Sequence, residues 1–585
     1  MGLTVHLLGS PWVDRPDGVP YQVRSRKSWA LLACLVLSER PLTRSRLAGL
    51  LYQEADDPLR ALRWGLAEIR RCLGVEVDGD PVVLRLPPGA VVDVDVLRHG
   101  SWAAAVDLPG LGADLLDGIA VRGAPAFESW LLSERRRIAA AAEAILHEAA
   151  LGRLAAGDLV AARGLAVRAA GMNPLEENHQ ALVIRLYRLA GDDRAAEKQY
   201  RAVAELFARE LGVRPGAAVE AAMAATRESR PEADDASLEA IVESGAAAVA
   251  AGSVEAGVRS LRTAVRLADR ARSDRWRLAA RVRLAEALIH SLRGLDEEGL
   301  AFLHEADRIA LAVGERAVAA QARAEIGYVD FLRARYDRAE RWLTDALSVA
   351  DGSPAITARV SMYLGSVESD RAFYPKARLW LEKAIGLAAD ARTEAYALSM
   401  LGRMHLLTGN LDEAAARLDE STRVAERDHW LAFVPWPQAM RGETFLAAGN
   451  PAAATRLLQQ AFARACQIGD PCWEGMAARS LALVADAAGD PARAFDLLAD
   501  ARTRSNRLAD PYVWLDAYIL DAQCDLGRRH DHPETQEWAG ALRRLAARTG
   551  MREMTVHALR HCAGPGDEEA AALLAGVIAG RPDAS

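Results

Sequence analysis

The sequence lacks several features that define whole classes of protein. Its 585 residues are only 6% aromatic and include six cysteines without a CxxC pair, which argues against a disulfide framework or a cysteine metal site. No apolar run approaches the ~18–20 residues of a transmembrane helix. The first residues fit neither a signal peptide nor a myristoylation motif. We therefore expect a cytoplasmic protein with reduced thiols, no membrane association and no bound metal.

Motifs for catalysis are also missing. The sequence contains no GxxxxGK[ST] motif and no Gly-Lys dipeptide, so a Walker A nucleotide site is not expected. Nothing resembles a nucleophile elbow. His557 and His561 are four residues apart on a predicted helix, but they lack further ligands at metal-binding spacing. We predict a protein that is not an enzyme and that needs no cofactor.

The charge is unevenly distributed along the chain. The formal net charge is −8, yet residues 19–52 carry six basic side chains against one acidic one, and residues 58–73 carry four against one. Local charge, more than net charge, governs attraction to DNA. The basic N-terminal segment is therefore compatible with nucleic-acid binding.

The order of elements in this segment predicts a winged helix-turn-helix. Short strands are predicted at 3–8 and about 19–24, separated by a Pro- and Gly-containing stretch. Three helices follow. The first is predicted at 28–37, and the second begins after Thr43, its N-cap. The third is predicted at 58–73, where Asp57 is the N-cap and Pro58 the first helical residue. The β-prone residues 75–86 around Asp78-Gly79-Asp80 predict a hairpin.

The third predicted helix has two opposite faces. With Arg60 at 0°, Leu62, Leu66, Ile69 and Leu73 fall between about 180° and 240°. The opposite arc, from about 280° to 40°, holds Arg60, Arg63, Trp64, Ala67, Arg70 and Arg71. Arginine can grip phosphates or the O6/N7 edge of guanine, and an α-helix fits the major groove. This arc is the predicted DNA-reading face; the alternative is an ordinary solvated charged surface.

Other basic residues are candidates to support DNA binding; the alternative for each is an ordinary surface charge that promotes solubility. Lys27, Arg44 and Arg46 lie at helix N-termini, which favour phosphate, and Arg85 projects from the predicted wing. The wing tip carries Asp78 and Asp80, whose charge would resist insertion into a minor groove.

The remainder of the chain predicts a helical solenoid. A small residue followed at +12, +16 and +19 by Ala, a large apolar residue and a small one is typical of tetratricopeptide (TPR) units. The pattern starts at Gly327, Gly365, Gly402, Gly442 and Ala482, in steps of 38, 37, 40 and 40 residues. Weaker copies centre on Leu261 and Leu303. The predicted fold is mainly α: a small α+β winged helix followed by TPR-like helices.

Two sets of motifs resemble the Streptomyces antibiotic regulatory protein (SARP) family. The first runs through Arg26-Lys27-Ser28-Trp29, Leu47-Ala48-Gly49-Leu50-Leu51-Tyr52 and 61–71. The second, similar to the bacterial transcriptional activator domain, includes 112–118, Phe127-Glu128-Ser129-Trp130-Leu131 and 209–215. Tyr52 stands where a tryptophan is usual in the family. The domains expected are a DNA-binding domain (1–95), an activator domain (96–228), a linker (229–237) and a TPR-like domain (238–580).

The resemblance implies a function in transcription. It implies an OmpR-type winged helix (the output fold of two-component phosphorelays), binding to promoter direct repeats as a dimer on DNA, and contact with RNA polymerase holoenzyme. The repeats would sense a protein, peptide or small-molecule effector in their groove. Two alternatives remain open: a TPR scaffold whose winged helix makes only protein contacts, and a repressor that uses the same DNA-binding surface.

Overall fold

A computed structural model describes residues 2–15, 25–38, 41–156, 158–224, 235–250, 254–292, 296–350, 352–428, 430–508, 510–562 and 567–578. The chain divides into two compact units, one of residues 1–149 with 171–173 and the other of 150–170 with 174–585. Most described residues are helical, which confirms the predicted fold class. The division at 149/150 falls inside the predicted activator domain, and the predicted domain boundaries stay a prediction.

The first unit begins with a small sheet and a three-helix cluster. Its strands are β1 (Thr4–His6), β2 (Trp12–Asp14), β3 (Glu76–Asp78), β4 (Val83–Arg85) and β5 (Val91–Val92). Its helices are α1 (Arg26–Leu37), α2 (Arg44–Leu51), α3 (Pro58–Leu73), α4 (Asp93–His99), α5 (Trp102–Ala105) and the first part of α6 (Pro125–Ala155). Strand β1 pairs antiparallel with β2 and parallel with β5, while β3 and β4 form the predicted hairpin.

Sequence reasoning missed two strands of this sheet, β2 and the two-residue strand β5. Strand β2 lies in the Pro- and Gly-containing stretch between the predicted strands, and Val13 of β2 is completely buried opposite Val5 of β1. Proline and glycine nearby hid a strand only three residues long, because so short a run has little alternation to recognise. The strand predicted at about 19–24 lies outside the described residues.

A buried carboxylate joins the sheet to the helix that follows it. Asp93, fully buried at the start of α4, accepts hydrogen bonds from the backbone N–H groups of Leu7 (2.8 Å), Leu8 (2.9 Å) and Val94 (2.7 Å). These bonds satisfy donors where β1 ends and α4 begins. Asp93 therefore fixes the end of the winged-helix fold to the sheet at its beginning.

The second unit consists of helices. The segment before the repeats contains α7 (Leu159–Met172), α8 (Glu177–Leu189), α9 (Asp193–Glu210) and α10 (Ala217–Ala224). The first repeat helices are α11 (Asp235–Ala250), α12 (Val254–Ala271), α13 (Asp274–Ala287), α14 (Asp296–Val313), α15 (Arg316–Leu332), α16 (Tyr336–Val349), α17 (Pro354–Asp370) and α18 (Tyr374–Leu387). They continue with α19 (Ala391–Leu407), α20 (Leu411–Arg427), α21 (Pro435–Ala447), α22 (Pro451–Ile468), α23 (Pro471–Ala487), α24 (Pro491–Ser505), α25 (Val513–Arg529), α26 (Thr535–Thr549), α27 (Arg552–Cys562) and α28 (Asp567–Ile578). A π-helical turn, Leu288–Leu292, extends α13.

The small and large positions of the predicted repeat lie against each other. A Cβ atom on Gly327 would come within 2.8 Å of Leu343, and one on Gly365, Gly402 or Gly442 would come within 2.5–2.6 Å of the leucine sixteen residues later. Each glycine thus lets the second helix of its pair approach closely. This packing confirms the TPR-like pairing inferred from sequence spacing.

The end of the predicted linker is helical. Helix α11 already begins at Asp235, so the last three residues of the predicted linker, 235–237, are helical. Residues 225–234 lie outside the described part of the chain. Asp235 carries a negative charge in the first helical turn, which favours helix formation there.

A partly buried carboxylate near the end of the array holds the two histidines noted in the sequence. Asp521 of α25 lies 3.0 Å from Nδ1 of His557 and 2.8 Å from Nε2 of His561, both on α27. Burial acts to raise the pKa of Asp521, but hydrogen bonds from the two rings hold that pKa well below its ordinary value. Burial acts to lower the pKa of His557, yet Asp521 raises it. In the described residues, no group of three or more such side chains has a geometry that could hold a metal ion.

This cluster makes the stability of the array depend on pH. The pKa of His557 is raised on folding, so its stabilisation is complete below about pH 6.5 and is lost as the pH rises through the folded pKa. The contribution of Asp521 is lost only in acid, below the ordinary aspartate pKa of about 3.9. We expect the melting temperature, followed by circular dichroism, to fall more between pH 6 and pH 9 in wild type than in His557→Gln. An equal fall in the melting temperature of both proteins would contradict the assignment of this pH dependence to His557.

Candidate nucleic-acid interface

Helix α3 has well-defined ends. The carboxylate of Asp57 accepts a hydrogen bond from the N–H of Arg60 (2.9 Å), and Pro58 is the first helical residue. Gly74 ends the helix at φ +68°, a conformation that glycine adopts without strain. The start and end predicted for this helix are confirmed.

The two faces of α3 are placed as the helical wheel predicts. The buried residues of the helix are Leu62, Gly65, Leu66, Ile69, Cys72 and Leu73. On the other side Arg60, Arg63, Arg70 and Arg71 are exposed, Ala67 is half-buried, and Trp64 is 67% exposed. An indole so accessible beside arginines is available for contact with a partner.

Three of these arginines are not engaged by acidic side chains. In the part of the chain that the structure describes, no ion pair involves Arg60, Arg63 or Arg71. Arg63 makes one long contact, 3.4 Å from its Nε to the carbonyl of Leu59. Their full positive charge therefore faces solvent.

Tyr52 fills the space beneath α3. It is buried against Gly65, and its burial raises its pKa to about 12. The ammonium group of Lys27 lies 5.3 Å from the centre of the tyrosine ring, and Lys27 is half-buried. Lys27, a predicted phosphate contact, thus also packs over the residue that replaces the usual tryptophan.

Gly65 is required by this packing. A Cβ at this position would lie 2.4 Å from the Tyr52 hydroxyl oxygen and 3.0 Å from Leu31. We expect Gly65→Ala to lower the free energy of unfolding of the winged helix by about 1–3 kcal/mol, since overpacking forces buried side chains to move. Thermal unfolding measures the effect.

The matched control is Gly49→Ala on α2, where a Cβ would meet nothing within 4 Å. This change should be neutral or slightly stabilising, because alanine favours helix. Adding Tyr52→Phe, which removes the hydroxyl, should recover part of the loss from Gly65→Ala. If Gly65→Ala behaves like Gly49→Ala, the packing account is wrong.

Arg44, at the start of α2, is engaged by the tip of the hairpin. Its backbone N–H donates to Asp80 (2.8 Å), its Nε donates to the carbonyl of Gly79 (2.9 Å), and a terminal nitrogen lies 3.2 Å from Asp78. The structure therefore places this predicted phosphate contact in an intramolecular ion pair.

Arg70 ties α3 to the same hairpin. Its guanidinium donates to the carbonyl of Val77, with its Nε at 2.8 Å, and lies 3.8 Å from Asp78. This arginine supports the position of the wing, in addition to its place on the exposed arc.

The two remaining predicted contacts are on the surface. Arg46 is exposed in the first turn of α2, where the side chain of Thr43 accepts from its backbone N–H. Arg85 of β4 lies 3.7 Å from Glu76, with both side chains largely exposed. An exposed pair of this kind contributes little energy, so a phosphate could displace it.

Sequence reasoning missed the role of the wing-tip carboxylates. It treated Asp78 and Asp80 only as charges that repel DNA, whereas both hold Arg44 and Asp78 also approaches Arg70. No sequence signal pointed to the contacts with Arg44, because residues more than thirty positions apart meet only when the hairpin folds against α2.

The repeats also contain contacts that the sequence did not reveal. Arg403 of α19 is completely buried and donates to Asp370 (2.5 Å), to Ser369 (2.9 Å) and to the hydroxyl of Tyr512 (2.8 Å). The Tyr512 ring also packs on Phe331 of α15, with centroids 5.4 Å apart. These contacts join α15, α17 and α19 to the segment just before α25.

Asp510, beside Tyr512, joins three distant segments. Its carboxylate lies 2.6 Å from Nε of Arg333 and 2.7 Å from the side-chain nitrogen of Asn178 on α8. Arg333 in turn lies 3.1 Å from Glu297. Helix α8 is thereby connected to repeats that follow it by more than 100 residues along the chain.

Residues 93–227 match the model of the bacterial transcriptional activator domain. The chain therefore contains a bacterial transcriptional activator domain. The match falls on the second set of motifs that the sequence predicted, and helical repeats follow it along the chain. No curated protein matches the chain. In its described residues, no helix is both long and apolar enough to span a membrane.

Several solved structures resemble parts of this chain. EmbR from Mycobacterium tuberculosis, solved with a low-affinity phosphopeptide, is 22% identical over 38% of this chain and 64% of its own, with a TM-score of 0.29. The match thus spans less than two thirds of EmbR. A Rap protein complexed with Competence and Sporulation Factor is 10% identical over 59% of this chain and 96% of its own (TM-score 0.42). A monomeric mutant of IFIT1 with Gppp-AAAA is 13% identical over 70% of this chain and 90% of its own (TM-score 0.33). These similarities carry no argument about function.

Proposed function

We propose that the chain is a SARP-type regulator, a sequence-specific DNA-binding activator of a pathway-specific or secondary-metabolite gene cluster. The observation that carries the proposal is the exposed arginine face of α3, directly opposite the buried face that packs the helix into the winged fold. The activator domain that follows supports the assignment to transcription.

In the proposed complex, α3 lies in the major groove. Arg60, Arg63 and Arg71 contact guanine edges or phosphates, and Trp64 provides an apolar surface for a thymine methyl group. Half-buried Ala67 leaves room for the helix to approach the bases. Lys27, Arg46 and Arg85 contact the phosphate backbone, which fixes the register of the protein but does not read sequence.

Direct-repeat sites determine the proposed assembly. Two protomers bind head to tail, so that each presents its α3 to one repeat. The activator domain contacts RNA polymerase holoenzyme beside the promoter. A repressor would use the same DNA contacts, and a transcription assay with purified polymerase separates activation from repression.

Salt dependence tests the DNA-binding proposal against the scaffold alternative. If about five phosphates are contacted per protomer, log K should fall with log salt concentration at a slope near −0.9 per contact. Fluorescence anisotropy with a labelled duplex measures this slope. A scaffold whose winged helix makes only protein contacts would give no binding to duplex DNA even at low salt, and that result would contradict the proposal.

The proposal includes a sensing role for the repeats. The supporting observation is the buried bond between Asn178 on α8, inside the activator domain, and Asp510 in the array. A partner or ligand that rearranges residues 510–512 would break this bond and so alter the activator domain. No chemical identity of that effector is assigned.

Variants at Asn178 test the sensing role. Asn178→Asp places a second carboxylate beside Asp510, and the repulsion between the two should loosen the contact. Asn178→Ala removes the hydrogen bond to Asp510 without adding a charge. If the array restrains the DNA-binding half, both variants should bind promoter DNA more tightly than wild type. Unchanged affinity and unchanged transcription in both variants would contradict the restraint.

A further inference from the structure

The wing of the SARP-type regulator has an unusual charge for a DNA-binding element. Its tip, Asp78-Gly79-Asp80, carries two carboxylates, and the side chain of Asp78 is 82% exposed. Exposed carboxylates near a DNA-binding surface repel phosphates at a range set by the Debye length, about 10 Å at 0.1 M salt. Such charges weaken the binding of all DNA sequences alike. They affect specificity only if they also change which basic side chains of the protein are available to phosphate.

The wing tip does change which basic side chains are available to phosphate. All three of its residues contact Arg44: Asp80 accepts the backbone N–H, Gly79 accepts Nε, and Asp78 pairs with a terminal nitrogen. Asp78 also lies within ion-pair distance of Arg70. By contrast Arg46, two residues after Arg44 in the same helix, is exposed.

From this geometry, and resting on the proposed DNA-binding function, we infer that Asp78 and Asp80 are specificity-determining residues: Asp78 pairs with the guanidinium of Arg44, Asp80 holds its backbone N–H, and together they withhold Arg44 from phosphate. Contacts to phosphate supply nearly all the affinity for arbitrary DNA, whereas contacts to base edges supply sequence preference. A protein that engages one of its cations internally therefore binds unrelated DNA less tightly.

The effect falls unequally on the two kinds of DNA. In a nonspecific complex the protein is free to shift until every available cation meets a phosphate. In the specific complex α3 fixes the register, so Arg44 gains a contact only if a phosphate happens to lie within its reach. Withholding Arg44 thus widens the difference between target and unrelated DNA.

The test is the double substitution Asp78→Asn/Asp80→Asn in the full-length chain. The amides keep the size of the carboxylates and can still accept hydrogen bonds, so the fold is preserved while two negative charges are removed. Binding to an unrelated duplex and to a selected direct-repeat duplex is measured by anisotropy over a range of salt concentrations.

The control is Asp107→Asn/Asp117→Asn. These two residues are exposed elsewhere in the same compact unit, so the control makes the same change in net charge. Any difference between the two variants is then due to the position of the charges.

We expect the wing variant to bind unrelated DNA roughly five- to tenfold more tightly at low salt, with a slope steeper by about one phosphate contact. Its preference for the direct repeat should fall. A variant that matches the control, or that binds more weakly than wild type, overturns the inference. If wild type itself fails to bind any duplex, the proposed function fails instead, and the two failures are distinct.

Discussion

Replacing Arg63 and Arg71 together with alanine should lower the affinity of the protein for its target duplex by roughly 30-fold or more, since each good bidentate contact with a base contributes about 1–3 kcal/mol. Both arginines are exposed on α3, and the described structure gives neither an ion pair. Arg70 is a poorer choice for this test, because its guanidinium holds the carbonyl of Val77 and its loss would disturb the wing. Anisotropy with target and unrelated duplexes measures the change.

Arg122→Ala/Arg136→Ala provides the matched control. Both of these arginines are exposed in the same compact unit and lie outside α3, so the change in net charge is identical. The control should lose only the small affinity that follows from a lower overall positive charge. If the two double variants weaken binding equally, the arginine face of α3 has no special role in DNA recognition.

Asp370→Ala should destabilise the repeat array by about 3–5 kcal/mol, because it leaves a buried guanidinium without its counter-charge. Arg403 has no exposed surface, and it packs over the ring of Trp514 at 4.2 Å. Urea unfolding followed by tryptophan fluorescence measures the loss, with Trp514 close to the site.

Two comparisons separate charge from packing. Asp370→Ala/Arg403→Met removes both charges and should be less destabilising than Asp370→Ala alone. Glu382→Ala breaks an exposed pair with Arg378 at 3.9 Å and should cost less than about 1 kcal/mol. If Asp370→Ala costs no more than Glu382→Ala, the buried pair does not hold the repeats together.

Local sequence rules predicted the helices of the winged fold and the repeats well. Asp57, Pro58 and Gly74 mark the ends of α3 because caps act through neighbouring residues alone. The close pairing of Gly402 with Leu418 follows from a fixed spacing of sixteen residues. Strand β2 escaped notice because three residues carry too little pattern.

Contacts between distant segments could not be predicted in this way. The bond between Asn178 and Asp510 joins residues 332 positions apart, and nothing near either residue indicates the other. The ion pair of Arg44 with Asp78 likewise depends on how the hairpin folds against α2. The sequence therefore identified the arginine arc as a surface. The structure distinguishes the arginines that contact other parts of the protein from those that are available to a partner.

Selection of bound fragments from genomic DNA tests the central claim most directly. Wild type and Arg63→Ala/Arg71→Ala are used side by side at low salt, and the recovered fragments are sequenced. The account predicts that wild type enriches short direct repeats upstream of genes and that the variant loses this enrichment. Equal enrichment by both proteins would contradict the account. It would also be contradicted if wild type enriched no sequence and the Asn178→Ala variant, in which the proposed restraint is removed, enriched none either.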